Sequence, residues 1–320
     1  MQYRNLGRSG LQVSAVGLGC NNFGMRINAD ETKAVVDKAI DQGINFFDTA
    51  DIYGNSGQSE EFLGRALGDR RAEVIVATKF RVPMGEGPLW GGGSRRYIYK
   101  AVEASLKRLN TDYIDLYQIH FPDTQTPIEE TLSALNDLVR SGKVRYIGCS
   151  NVNAWQVVES SWVARTEHFT PFISVQNQYN LLDRRLEKDV AEVADKYGVG
   201  VLPYFPLASG FLSGKYRAGQ PPPEGTRLAA WGARGQEMLS EHNFGILGKL
   251  EGFTESRGHT MLELAIAWLA GHSWVSSVIA GATKPEQVEQ NVKAGEWQLT
   301  PEEMAEVDQL SHWQKSEEGN

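Results

Sequence analysis

Four polar residues stand at or just beyond the ends of short apolar runs: Asp48 and Tyr53 after residues 45–48, Lys79 after 74–78, and His120 after 114–118. A carboxylate, a phenol, an ammonium and an imidazole gathered at one point can polarise a carbonyl oxygen and hand it a proton. A buried lysine requires a counter-charge, which Asp48 supplies, and the pair then sets an ammonium beside the Tyr53 hydroxyl. Unit charges about 4 Å apart at an effective dielectric near 20 interact by roughly 4 kcal/mol, which lowers a phenol pKa by at most about three units from about 10. The expectation is an acidified Tyr53 that donates its proton next to His120. No side chain supplies hydride, so a reduction at this point demands a separate reduced cofactor.

For the four to meet, their strands must be neighbours in one sheet. Short β-branched or apolar runs alternate with longer stretches of helical periodicity, the pattern of a parallel α/β fold. After a hairpin over residues 1–13, turned at 7–10, strands are predicted at 15–18, 45–48, 74–78, 114–118, 144–149, 172–176, 200–204 and 277–280. Helices are predicted at 29–42, 59–67, 95–109, 127–141, 154–163, 183–197, 238–257 and 261–270. Gly43, Gly68 and Gly142 fall where helices should stop. Eight βα units in about 270 residues favour a closed (β/α)8 TIM barrel over an open doubly wound sheet. We expect one domain over residues 1–320, with extra helices on the long loops at 81–95 and 213–233. Those loops follow strands three and seven, on the C-terminal face where barrel chemistry sits.

Composition removes other classes. Against 32 Lys and Arg stand 40 Asp and Glu, a net charge of −8 that excludes an electrostatic nucleic-acid binder. Cys20 and Cys149 are too few for a disulfide framework or a thiolate metal site and point to a reducing, cytoplasmic setting. The histidines at 120, 168, 242, 259, 272 and 312 show no i, i+3 or i, i+4 pair, and neither H-E-x-x-H nor C-x-x-C occurs, so no metal is expected. Residues 264–283 carry no charged side chain, but Gly271-His272-Ser273 and Ser276-Ser277 break them, so they read as a helix and a strand and not as a membrane span. Residues 11–20 are interrupted by Gln12, Ser14 and Gly17 and do not read as a signal peptide. The G-x-G-x-x-G dinucleotide fingerprint is missing, so any nicotinamide cofactor must bind differently. Gly210 and Gly214-Lys215 stand one residue too close for a phosphate loop, and Tyr216 replaces its Ser or Thr.

Residues 43–54, Gly-Ile-Asn-Phe-Phe-Asp-Thr-Ala-Asp-Ile-Tyr-Gly, resemble the G-x-x-x-x-D-T-A-x-x-Y-G signature of the aldo-keto reductase superfamily. Thr78-Lys79 and Leu116-Tyr117-Gln118-Ile119-His120 resemble its lysine and histidine strands. Ile147-Gly148-Cys149-Ser150-Asn151 is similar to I-G-V-S-N, and Gln176-Asn177-Gln178-Tyr179-Asn180 to Q-x-x-Y-N. The resemblance runs nearly end to end. It implies a (β/α)8 barrel that binds NADP(H) in extended form, with Asp48, Tyr53, Lys79 and His120 reducing aldehydes or ketones and Tyr53 as general acid. By position it implies that Ser150, Asn151 and Gln176 hold the nicotinamide carboxamide and that Tyr204 stacks on the ring.

Residues 207–215 resemble the family's phosphate-contacting loop, which implies pyrophosphate contacts from Leu207, Ser209, Gly210, Leu212 and Lys215. Residues 280–291 resemble the segment that receives the adenosine 2′-phosphate and adenine, here Gly281, Thr283, Lys284, Gln287, Gln290 and Asn291. The family often has Arg where Thr283 stands and Glu where Gln290 stands. A hydroxyl and the Lys284 charge then replace a guanidinium fork, so NADP(H) is preferred and NAD(H) stays open. Phe23, Trp90, Phe121 and Trp231, on or near the C-terminal loops, are expected to line an apolar carbonyl pocket. Phe121 stands where many relatives have Trp.

A competing expectation is a cofactor-sensing regulatory subunit, because potassium-channel β subunits resemble this family and have the same tetrad. That reading predicts tight cofactor binding and very slow turnover. A glycosidase built on Asp48 and Asp51 would leave Lys79 and Tyr53 without a role. Beyond the cofactor, the expected partner is a small aldehyde or ketone, and the sequence leaves the oligomeric state open.

Overall fold

The computed structural model describes residues 1–311. A hairpin, β1 (Tyr3–Asn5) and β2 (Gln12–Ser14), precedes eight parallel strands. These are β3 (Val16–Gly19), β4 (Phe46–Asp48), β5 (Ile75–Phe80), β6 (Ile114–Ile119), β7 (Val144–Ser150), β8 (Phe172–Gln176), β9 (Gly200–Val201) and β10 (Val278–Gly281), paired in the order β10-β3-β4-β5-β6-β7-β8-β9. The two ends of that order meet: Val201 bridges Val275, Val201 N donates to Trp274 O at 2.9 Å, and Ile279 N donates to Pro203 O at 3.0 Å. The expected (β/α)8 barrel is therefore closed, which removes exposed sheet edges.

Around it run α1 (Ala29–Asp41), α2 (Tyr53–Leu67), α3 (Arg95–Leu109), α4 (Ile128–Arg140), α5 (Ala154–Thr166), α6 (Val190–Tyr197), the short α7 (Arg227–Ala230) and α8 (Ala233–Met238), α9 (Glu241–Glu255), α10 (Met261–Gly271), α11 (Pro285–Ala294) and α12 (Pro301–Leu310). Capping boxes at Asn28 with Glu31, Thr260 with Glu263 and Thr300 with Glu303 start three of them. Among the described residues no helix is long and apolar enough to cross a membrane.

Strand alternation divides the side chains. Phe47, Val76, Tyr117 and Ile119 join the core under the helices, while Phe46, Ile75, Ala77 and Leu116 form a second apolar cluster with Leu202, Ile279 and the hairpin's Leu6 and Val13. Two residues further along the same period, β4 carries Asp48, β5 Lys79 and β6 Gln118. The second set thus changes from apolar at one end of the barrel to polar at the other, and the hairpin seals the apolar end.

Several boundaries differ from the sequence expectation. Strand seven shortens to two residues because Pro203 has no N–H to pair. The helix expected at 183–197 is broken at Asp189, whose φ is −153°, into a 3₁₀ turn and α6. The helix expected from 238 starts at Glu241, where Ser240 accepts from Asn243 N. Helices α11 and α12 are not among those expected, although Pro285 and Pro301 in their first turns are the available signals. Residues 312–320, included in the single-domain expectation, lie outside the described residues.

Gly7 tests the hairpin seal. Its φ is +56°, and a Cβ there would stand 2.5 Å from Gly198 O, whereas a Cβ on Gly10 would meet nothing within 4 Å. Gly7→Ala is expected to lose about 2–4 kcal/mol in urea unfolding and Gly10→Ala no more than about 0.5 kcal/mol. Equal losses would show that the turn does not rest on the barrel.

Candidate active site

At the polar end of the barrel Lys79 is fully buried. Its Nζ donates to Asp48 Oδ2 at 2.6 Å and to Thr49 O at 2.8 Å. The second carboxylate oxygen of Asp48 accepts from Gln176 Nε2 at 2.8 Å and Gln118 Nε2 at 3.3 Å. Gly148 makes room for this arrangement, since a Cβ there would lie 2.2 Å from Ser174 Oγ and 3.3 Å from Gln118 Cγ. Burial works against the Lys79 ammonium, but Asp48 and Tyr53 outweigh it and hold its pKa above the ordinary value. Lys79 is charged at any working pH.

Tyr53 is positioned by an uncommon turn. Gly54, Asn55, Ser56 and Gly57 have φ of 65°, 55°, 66° and 125°, four left-handed residues in succession before α2 becomes regular. A Cβ on Gly54 would stand 2.4 Å from Phe23 O, so the glycine of the Tyr-Gly pair admits the neighbouring loop. Lys79 Nζ lies 4.9 Å from the Tyr53 ring centre and interacts with its hydroxyl. Burial raises the Tyr53 pKa above its ordinary value, and the ammonium offsets this only in part because Asp48 opposes it. The expectation of an acidified phenol is thereby corrected: the resting tyrosine keeps its proton firmly.

The His120 ring meets Tyr53 edge to face, with centres 5.6 Å apart. Burial first, then Lys79 and Arg81, push its pKa down to about 3, so the imidazole is neutral at working pH. The backbone of His120 is tied to the next strand, because Asn151 Nδ2 donates to its carbonyl at 2.9 Å. Asn151 also donates to Ser150 Oγ at 3.0 Å, Ser150 Oγ donates to Gln176 O at 2.6 Å, and Tyr204 OH donates to Asn151 Oδ1 at 2.7 Å. Residues expected from the resemblance to hold the carboxamide thus form one network with the tetrad.

The loop after β9 supplies a second feature. Ser209 and Gly210 have φ of 60° and 95°, and a Cβ on Gly210 would stand 3.1 Å from Lys215 Nζ. Leu207 is half-buried and Leu212 fully buried beside them. Two cations that sequence reasoning missed join Lys215. Arg227 Nη2 donates to Asn22 Oδ1 at 3.2 Å, and Arg26 Nη2 to Gly225 O at 2.8 Å. Burial first, then Arg26 and Arg227, lower the Lys215 pKa, and burial and Arg26 lower that of Arg227. Among the described residues no carboxylate stands within ion-pair distance of these three. Such a cluster favours an anion.

Asn22 connects this cluster to the segment after β10, donating to Ala282 O at 3.3 Å. Thr283 N and Oγ1 both donate to Gln287 Oε1, at 2.7 and 3.1 Å. Gly281, Lys284 and Gln290 are exposed and Asn291 is buried. Lys284 precedes α11 as its N-cap.

The four aromatic residues separate. Phe121 is stacked on His120 at 4.9 Å and stays exposed. Trp231 is half-buried against Phe205, ring centres 6.1 Å apart. Trp90 is exposed, packed over Lys100 Nζ at 3.1 Å on the flank of its own loop. Phe23 is corrected: it is fully buried and belongs to the main core, because its loop folds inward against Gly54. Cys20 and Cys149 are buried and unpaired.

The profile of the Aldo/keto reductase family matches residues 15–312. The chain belongs to that family. A rice protein named probable voltage-gated potassium channel subunit beta is 39% identical over 92% of this chain and 91% of its own. L-glyceraldehyde 3-phosphate reductase of Escherichia coli O157:H7 is 38% identical over 99% and 96%. An uncharacterised oxidoreductase of Bacillus subtilis is 37% identical over 94% and 93%. Membership of the aldo/keto reductase family makes the chain an oxidoreductase, of a family that uses nicotinamide cofactors on small carbonyl compounds.

Behind the tetrad lies a carboxyl group that sequence reasoning used only for a rejected alternative. Asp51 is 1% exposed, and neither of its carboxylate oxygens has a hydrogen-bond partner among the described residues. Burial, then Glu60, push its pKa up to about 8 from 3.8. Between these values the unfolded chain releases a proton that the fold retains, so this group lowers stability progressively as pH rises from 3.8 to 8. Asp51→Asn is expected to unfold with the parent near pH 4 and to gain several degrees in Tm by about pH 8. A constant difference across thermal scans over that range would show that Asp51 is ionised in the fold.

Proposed function

We propose that this chain is an NADP(H)-dependent reductase of aldehydes or ketones, with Tyr53 as the general acid. The observation that carries the reading is the buried, charged Lys79 shared between Asp48 and Tyr53 beside a neutral His120. Its raised pKa keeps Tyr53 protonated until substrate arrives. The neutral imidazole can donate one N–H to a carbonyl oxygen without adding a charge, and the phenol can then release its proton to that oxygen. The phenolate left behind faces the Lys79 ammonium, so the pair stabilises charge where it develops. A reduced nicotinamide, when bound, supplies the hydride that no side chain here can supply. The chain's own part is the phenolic proton, which goes to the carbonyl oxygen and becomes the hydroxyl proton of the alcohol.

The cation cluster of Arg26, Lys215 and Arg227 fits the cofactor's phosphates, and Ser209 and Gly210 offer backbone amides and a hydroxyl beside it. Ser150, Asn151 and Gln176 fit the carboxamide, with Tyr204 beside the ring. Exposed Lys284, with Thr283, Gln287, Gln290 and Asn291 near it, fits the adenosine end and favours NADP(H) over NAD(H). The same reading takes residues 1–320 as one domain acting in the cytoplasm.

Kinship with proteins named potassium channel β subunits supports a second reading, cofactor sensing with slow turnover. Following NADPH absorbance with a panel of small aldehydes separates the two, because a sensor would bind the cofactor yet consume it hardly at all. Tyr53→Phe is expected to lower turnover by about 10² to 10⁴ while NADPH still binds; an unchanged rate removes Tyr53 as the acid. Lys284→Ala is expected to raise the KM for NADPH more than that for NADH. Equal effects in the two titrations would place Lys284 away from the 2′-phosphate.

A further inference from the structure

Two residues beyond Lys79, where β5 has just ended on the polar face of the barrel, Arg81 has a φ of 104°. Glycine takes that conformation freely and a long side chain does not, so the chain tolerates strain to keep a guanidinium at this point. The backbone there is held, since Gly92 N donates to Arg81 O at 2.9 Å. The side chain is half-buried, its Nε is buried without a hydrogen-bond partner, and among the described residues no carboxylate stands within ion-pair distance.

The acidic group nearest in effect, Asp123, is already committed. Its Oδ2 accepts from Gly93 N at 2.6 Å and Thr126 Oγ1 at 2.8 Å, and its Oδ1 from Gln125 N at 3.0 Å. The charge of Arg81 is nonetheless felt at His120, the group beside Tyr53. Lys79 is ion-paired with Asp48, whereas Arg81, whose charge is also felt at Asp123, has no ion-pair partner among the described residues and stands just past the end of β5, two residues beyond Lys79.

We propose that Arg81 anchors an anionic group, a carboxylate or a phosphate, carried by the carbonyl substrate, and so selects anionic aldehydes or ketones over neutral ones. This rests on the reductase reading above. A guanidinium recognises either anion with paired N–H donors, and a substrate held there turns toward Tyr53 and His120.

The test compares the intact chain with Arg81→Gly, which removes the charge and relaxes the backbone, and Arg81→Lys, which restores the charge alone. Substrates are 4-oxobutanoate and glyceraldehyde 3-phosphate against the neutral butanal and glyceraldehyde, with NADPH consumption as one readout. A second readout needs no turnover: calorimetric titration with succinate and with inorganic phosphate.

Arg81→Gly is expected to lower kcat/KM for the anionic aldehydes by about 10- to 100-fold, through KM, and to change the neutral ones less than about twofold. Arg81→Lys should recover part of the loss. Weakened binding of succinate alone assigns a carboxylate, and of phosphate alone a phosphate. Equal changes for charged and neutral aldehydes, or equal anion binding by the intact chain and Arg81→Gly, overturn the proposal even if reduction proceeds. Anion binding that depends on Arg81 in a protein that reduces none of the four aldehydes would sustain the anchor and remove the reductase reading.

Discussion

An ammonium sealed inside a protein is stable only while a carboxylate stays ionised against it, and the polar end of this barrel is organised around that requirement. Lys79 and Asp48 contact at 2.6 Å with almost no solvent at either. Removing one partner of such a pair costs about 3–5 kcal/mol, because the other is left as a buried lone charge. Two glutamine amides from neighbouring strands and the Thr49 carbonyl complete the hydrogen bonds that keep the pair ionised. Together with burial, the pair also acts on the two groups beside it. Burial holds the proton on Tyr53 against the pull of Lys79, which Asp48 opposes, while burial together with Lys79 and Arg81 keeps a proton off His120.

The barrel makes this possible through a single change along its strands. The positions Phe46, Ile75, Ala77 and Leu116 belong to a cluster that needs no polar partner. One period further, Asp48, Lys79 and Gln118 place hydrogen-bonding groups on adjacent strands, and the parallel register sets Lys79 opposite Gln118. Rigid strands fix the charges, while loops with left-handed residues fix what must approach a ligand. Tyr53 follows the first pattern up to Asp48 and the second after it, through the turn at residues 54–57. Strain of this kind persists only where the surroundings over-determine it.

Much of this was legible in the sequence, for identifiable reasons. Strand and helix periods differ, so the eight units could be counted, and a charged residue at the end of an apolar strand is too costly to be filler. Arg26 and Arg227 were not found because nothing in their local sequence links them; the loops bring them together only through Asn22 and Gly225. Phe23 was placed in the pocket because a loop aromatic and a core aromatic look alike without the fold. The direction of the Tyr53 shift was misjudged for a different reason. It depends on the cost of burying a phenolate and on how far Asp48 opposes the ammonium, and both are set by the fold.

The distribution of charge carries the last step. A chain of net charge −8 repels anionic cofactors at long range, and salt screens that repulsion beyond about a Debye length. What decides binding is therefore the field at contact, where the mouth of the barrel gathers Arg26, Lys215 and Arg227 on one side and Arg81 on another with no carboxylate in ion-pair distance among the described residues. Each of these cations lies outside regular strands, and burial weakens Lys215 and Arg227 in the absence of an anion. The fold thus keeps a balanced ion pair inside the barrel and leaves cations without ion-pair partners at its mouth. An anion reaching the mouth meets cations that have no ion-pair partner among the described residues, while the Lys79 charge stays matched by Asp48 inside the barrel.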